Sequence, residues 1–211
     1  MTMAYRIRIP RLIRKLHHGH PVWRMPAADP AVYLTFDDGP HPEITPFVLQ
    51  QLAAYDARAT FFCIGKNVAA HPGIYRQISE QGHATGNHTH THRDGWKTDT
   101  AGYLRDITEA EQYIGSRIFR PPYGRITAAQ CHMLEQARPP WRIYMWDVLS
   151  GDFDTQLSPE RCLRQVIRYI RPGSIVVFHD SEKAWARMSH ALPRVLAHCL
   201  EQGWEMKALP S

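Results

Sequence analysis

The sequence predicts an α/β fold in which a parallel sheet curls into a small or incomplete barrel. Three observations predict it. From residue 31 onward, short apolar runs alternate with amphipathic stretches of helical period. This alternation repeats about six or seven times over roughly 180 residues, which is the signature of a βα series. Polar residues able to do chemistry also fall just after the predicted strands, where parallel βα folds carry their active face.

The elements follow in order. "AVYLTF" reads as the first strand, and Ile44, Phe47, Val48, Leu52 and Tyr55 form a helical stripe behind it. "RATFFCI" at 58–64 is a second strand, followed by a helical region to about Gln81, with Gly82 as its stop. "HATGNH" ends a third strand, and residues 99–115 read as a helix. "RIFRPPYG" holds a short strand closed by prolines; residues 126–137 are helical, and "RIYMWDV" is one further strand. Leu163, Val166, Ile167 and Ile170 give another helical stripe, stopped by Pro172 and Gly173. "SIVVFHD" is an apolar strand, a helix starts near Pro193 and runs to Gly203, and "WEMKAL" closes the chain as a strand.

The 211 residues are 44% hydrophobic and 21% charged, which suits one buried core. The net charge of +5 is uneven, because Arg6, Arg8, Arg11, Arg14, Lys15 and Arg24 all precede the first acid, Asp29. Residues 1–28, punctuated by Pro10, Pro21 and Pro26, read as a basic arm, and 29–211 as a single folded domain. Such an arm can touch an anionic membrane peripherally or remain solvated. "RLIRKL" could lie on a membrane surface. No nucleic-acid partner is expected. No apolar run approaches about 18 residues, and no secretory signal is read in the first twenty. Cys63, Cys131, Cys162 and Cys199 lie far apart without a C-x-x-C pair, so buried reduced thiols are expected, as in a cytosolic chain.

The strand ends bring together Asp37 and Asp38, His88 and His92, Arg120, Asp147 and Asp152, then His179 and Asp180. In "GNHTHTH", His88 and His92 are four apart, so on one helical turn they would face the same way as a divalent-metal pair. His90 would point away. A carboxylate is the natural third ligand, and the first strand end offers two. If Asp38 takes that role, Asp37 is left beside the cation to accept a proton from water, and Arg120 could hold it by a charge-assisted contact. The competing reading of "DDG" is a turn with a helix cap. His179 could act as a general acid if Asp152 raises its pKa. Trp96, Trp141, Trp146 and Trp185 could floor a sugar site or fill the core.

These motifs together resemble the polysaccharide deacetylase family, with its NodB homology domain of carbohydrate esterase family 4. "TFDDG" at 35–39, "HTHTH" at 88–92, "RPPYG" at 120–124, "WDVLSGDF" at 146–153 and "IVVFHD" at 175–180 appear in the family's order. The resemblance covers roughly residues 30–209 and implies a distorted (β/α) barrel of about seven parallel strands. It also implies a divalent metal, zinc above all, with cobalt or another divalent ion as alternatives. Carried over, Asp38, His88 and His92 are the metal ligands, Asp37 the base and His179 the acid. Arg120 orients Asp37, Asp152 tunes His179, and the Tyr123 backbone N–H meets the oxyanion. Two departures stand out: Phe153 replaces the usual Trp, and Val177 precedes Phe178 where Leu is common. The implied activity is hydrolysis of an N-acetyl group on an amino-sugar glycan such as peptidoglycan or a chitin-like oligosaccharide. Rival readings are deformylation of a lipid-linked sugar, hydrolysis of a small amide, and a carbohydrate-binding pseudoenzyme.

Overall fold

A computed structural model describes residues 21–210. The "RLIRKL" segment lies outside the described residues.

Among the described residues eight strands pair in parallel: β1 (Ala31–Asp37), β2 (Thr60–Cys63), β3 (Ala84–Asn87), β4 (Ile118–Phe119), β5 (Arg142–Ile143), β6 (Val148–Leu149), β7 (Ile175–His179) and β8 (Glu205–Met206). Their order is β5-β4-β3-β2-β1-β7-β6, with β8 joined to the start of β1. The helices are α1 (Ile44–Ala53), α2 (Gly65–Ala70), α3 (Pro72–Glu80), α4 (Thr100–Glu111), α5 (Ala128–Gln136), α6 (Pro159–Tyr169) and α7 (Trp185–Glu201). The seven strands of the main path form the expected curled parallel barrel.

Three local expectations need correcting. "RIYMWDV" is two short strands rather than one, and they lie at opposite ends of the strand order, joined only by residues 144–147. So short a link brings the two edges together and curls the sheet. Val22 bridges Tyr144 at this seam, and its amide donates to the Ile143 carbonyl. The end of the basic arm is therefore seated on the barrel. The helical region after β2 splits at His71, because Pro72 cannot continue a helix but opens a new one. The last helix starts at Trp185, and Pro193 lies inside it. Its apolar face, Met188, Ala191, Leu192, Val195, Leu196 and Cys199, is buried against the sheet, which outweighs the lost proline N–H.

The pleat of β1 decides what faces the barrel interior. Val32, Leu34 and Phe36 point outward into the helix-covered core, where Phe36 stacks on Phe61 at 5.0 Å and lies 6.1 Å from Phe178. The alternate residues Thr35 and Asp37 therefore face inward, on the same side. All four cysteines are buried thiols, none in a disulfide. Burial pushes the thiols of Cys63, Cys162 and Cys199 up, which makes them poor nucleophiles.

Candidate active site

β1 delivers the first two acids. Asp37 is its last residue, paired across to Phe62 of β2 and His179 of β7. Asp38 follows in the left-handed region, with φ of 83°, which turns its side chain away from that of Asp37. Asn67 on α2 donates to the Asp38 carbonyl at 2.7 Å and fixes this turn. Only glycine fits at position 39, because a Cβ there would lie 2.1 Å from Asp180 Oδ2.

The loop after β3 supplies the imidazoles. His88 and His92 do not share a helical turn; Thr89 and His92 are both left-handed, with φ of 64° and 60°, and this loop path brings the two rings together. His88 Nδ1 lies 2.8 Å from the Arg120 carbonyl, which can only accept. Nδ1 is thus the protonated nitrogen, and Nε2 keeps its lone pair. Burial pushes the His88 pKa down to about 4, so the ring is neutral and able to ligate. His92 Nδ1 meets the Tyr123 hydroxyl at 3.1 Å.

Asp38 Oδ1 lies 3.2 Å from His92 Nε2 and 3.7 Å from His88 Nε2. The three side chains offer ligand atoms all within 4.8 Å of one another. A tetrahedral zinc with bonds of about 2.0–2.2 Å holds its ligands roughly 3.4 Å apart, so these spacings fit. Asp38 Oδ1 is also buried with no hydrogen bond of good geometry among the described residues, as expected of an atom reserved for a cation. Burial alone would push the Asp38 carboxyl up; the imidazoles of His92, His179 and His88 outweigh it and hold it well below the usual range.

Arg120, after β4, is fully buried. It donates to Asp37 Oδ1 at 2.7 Å, to Thr35 Oγ1 at 2.6 Å and to the Met145 carbonyl at 3.0 Å, and its guanidinium lies 4.1 Å from the Phe62 ring centre. The inward pleat of β1 makes this double contact with Thr35 and Asp37 available.

At the end of β7, His179 Nδ1 lies 2.7 Å from Asp152 Oδ1, while Asp152 Oδ2 accepts the His179 backbone N–H, also at 2.7 Å. Burial disfavours the imidazolium, but the adjoining Asp152 carboxylate dominates, with Asp38 and Asp37 adding to it, and raises the His179 pKa to about 10. Phe153, the departure from the family pattern, packs edge-on against the His179 ring at 5.3 Å.

Not every candidate joins this face. Asp147 accepts from the Ile175 amide at 3.0 Å and pairs with Arg24 and Arg171. Ile175 begins β7, so Asp147 sits at the opposite end of the barrel and has a structural role. Asp180 is buried against Thr45 and Gly39, and burial raises its pKa to about 7. Trp141 is core; Trp96 and Trp185 are exposed. His90 does point away from the pair, toward Glu109 and Tyr113.

One residue of the site was missed in the sequence. Asp106 on α4 accepts the His90 and Thr91 amides at 2.8 and 2.9 Å, the Thr91 hydroxyl at 2.7 Å and Arg93 Nε at 2.9 Å. It therefore pins the whole loop between the two imidazoles. A buried acid in the apolar stripe Tyr103-Ile107-Ala110 was the available signal.

One strand-end face of a curled parallel barrel thus gathers an Asp-His-His cluster with metal-ligand spacing, an Arg-held carboxylate and an Asp-held imidazole. Residues 24–138 match the sequence profile of the polysaccharide deacetylase family. A peptidoglycan-N-acetylglucosamine deacetylase of Bacillus cereus is 30% identical over 88% of this chain and 89% of its own length. A chitooligosaccharide deacetylase of Bradyrhizobium sp. is 37% identical over 71% of this chain and 70% of its own. The crystal structure of a peptidoglycan N-acetylglucosamine deacetylase in complex with 4-naphthalen-1-yl-N-oxidanyl-benzamide superposes with a TM-score of 0.83 and 28% identity, covering 90% of each chain. The chain belongs to the polysaccharide deacetylase family. It is accordingly a hydrolase acting on carbon–nitrogen bonds other than peptide bonds.

Proposed function

We propose that the chain removes N-acetyl, or more broadly N-acyl, groups from an amino-sugar glycan such as peptidoglycan or a chitin-like oligosaccharide. The observation that carries this reading is the juxtaposition at one strand-end face of the Asp38-His88-His92 triad, the Asp37–Arg120 pair and the His179–Asp152 pair. Asp38, His88 and His92 would hold a divalent cation, zinc above all, which would supply positive charge to polarise the acyl group and acidify water.

The residues of the chain do the rest. Arg120 holds Asp37 Oδ1, which leaves Oδ2 to take the proton as water attacks the acyl carbon. The developing oxyanion meets the Tyr123 backbone N–H. Tyr123 is left-handed, with φ of 59°, and its amide has no partner among the described residues, which supports that role. His179, kept protonated by Asp152, gives its Nε2 proton to the nitrogen as the C–N bond breaks. The products are acetate and a free amine. Amines leave poorly unless protonated, so the acid is required.

Acetate release from N-acetylglucosamine oligomers, measured after chelation and again with added zinc or cobalt, tests the reading. We expect loss on chelation and recovery with metal. Tight oligomer binding without turnover under every metal condition would instead make the chain a carbohydrate-binding pseudoenzyme. Peripheral contact of the basic arm with anionic membrane would instead favour the rival reading, a lipid-linked sugar as substrate, and rests on sequence charge alone. Sedimentation with anionic vesicles, with and without residues 1–20, tests it.

A further inference from the structure

Beside the triad runs a ridge of exposed side chains. Tyr123 and Trp96 are 59% and 62% exposed, and Arg125 lies between them, 5.7 Å from the Tyr123 ring centre and 5.3 Å from that of Trp96. The ridge starts at a triad residue, because the His92 and Tyr123 rings meet edge-on at 4.6 Å.

An exposed indole is ordinarily unremarked, since folded surfaces carry many apolar atoms. This one is held rigidly. Its Nε1 donates to the Ile126 carbonyl at 3.3 Å, and its amide donates to Asp94 Oδ1 at 3.0 Å. Asp94 Oδ2 accepts from Arg125 at 2.6 Å, and Gln130 donates to the carbonyls of Gly95 and Thr98 at 2.9 and 3.2 Å. The loop lies so close to its neighbour that a Cβ at Gly95 would come within 2.4 Å of the Arg125 carbonyl. Two loops are thus bolted together, and the result is an indole presented to solvent.

We propose that Trp96, flanked by Arg125, is a stacking platform for a second sugar of an oligosaccharide whose N-acylated residue sits at the triad. This rests on the glycan reading above and sharpens it: the preferred substrate is an oligomer rather than a lone amino sugar. The apolar C–H face of a pyranose suits a flat ring at low ordering cost, and the planar Arg125 guanidinium adds donors for ring hydroxyls. Continuity with His92 through Tyr123 favours a substrate over a protein partner, which would not need to border the reacting centre.

The test compares kcat/KM of zinc-loaded enzyme on the N-acetylglucosamine pentamer and on 4-nitrophenyl acetate. For Trp96→Ala we expect the pentamer-to-aryl-acetate ratio to fall about tenfold, mostly through KM. Trp96→Phe keeps a flat face and should restore most of that ratio. Circular dichroism checks that both variants fold. A ratio within twofold of wild type for Trp96→Ala overturns the inference alone, and points to a protein partner for the ridge. Wild-type turnover of the aryl acetate but of no oligomer overturns the glycan reading and the inference together.

Discussion

The two halves of the site are built on different plans. The triad half reaches its geometry through loops. Asp38, Thr89 and His92 are all left-handed, and their positions depend on Asn67 of α2, Asp106 of α4 and the Arg120 carbonyl after β4. The half that holds His179, the proposed proton donor, is self-contained: one carboxylate, Asp152, grips both Nδ1 and the backbone N–H of His179. The difference teaches where damage should be felt. Distant changes should reach the triad half as altered metal affinity. Changes in the donor half should surface as an altered pH profile. Asp37 lies between the halves, beside His179 in the sheet and bound to Arg120.

The largest effect is expected at that junction. Asp37→Asn keeps the shape and still offers Arg120 an acceptor oxygen, but it removes the carboxylate we propose as the base. We expect kcat/KM to fall about 10²- to 10⁴-fold while zinc affinity, read by titration calorimetry, stays within a few-fold of wild type. Near-normal turnover would remove Asp37 as the base. Loss of zinc binding in step with turnover would move Asp37 into the triad half.

Next comes the donor half. Against the opposing effect of burial, the Asp152 carboxylate raises the His179 pKa to about 10, so its acid form is filled at neutral pH and empties as pH rises through that region. Asp152→Asn removes the charge that raises it. The alkaline limb of the kcat/KM profile should then move to lower pH, and the deficit should be larger at pH 9 than at pH 6. A uniform loss at all pH values, with the limb in place, would make Asp152 a support for the strand end and nothing more. The amide also has one oxygen where the carboxylate had two, so one of the two His179 donors loses its partner.

How much of this was legible in the sequence follows the same division. The βα order and the strand-end residues Asp37, Asp38, His88, His92, Arg120, Asp152 and His179 were readable, because chemistry-bearing residues sit within a few positions of an apolar run. The backbone route was not. Helical spacing put the two imidazoles side by side for the wrong reason, since left-handed residues rather than a helix turn bring the rings together. The barrel seam was also hidden, because "RIYMWDV" looks like one strand until the order of pairing separates its ends. Asp147 was misplaced by that error: read as following a strand, it in fact precedes β6, at the far end of the barrel.

Asp106 carries the smallest and most diagnostic expectation. Its Oδ1 accepts two loop amides, and its Oδ2 accepts Thr91 Oγ1 and Arg93 Nε, so all four contacts come from donors. The side chain is 4% exposed, and these hydrogen bonds hold its pKa below the usual range against the opposing effect of burial. In Asp106→Asn one of those oxygens becomes an NH₂ group facing donors, and half of the clamp is lost. The residue touches neither imidazole ring, so the loop should relax between His88 and His92 while the ligands themselves survive. Zinc affinity should then weaken about 10- to 100-fold, the range for groups that support metal ligands, while kcat returns close to wild type once zinc is in excess. That recovery separates a loop clamp from a catalytic group. If saturating zinc left kcat depressed as deeply as in Asp37→Asn, the loop would be shaping the reaction itself, and the two halves of the site would not be independent.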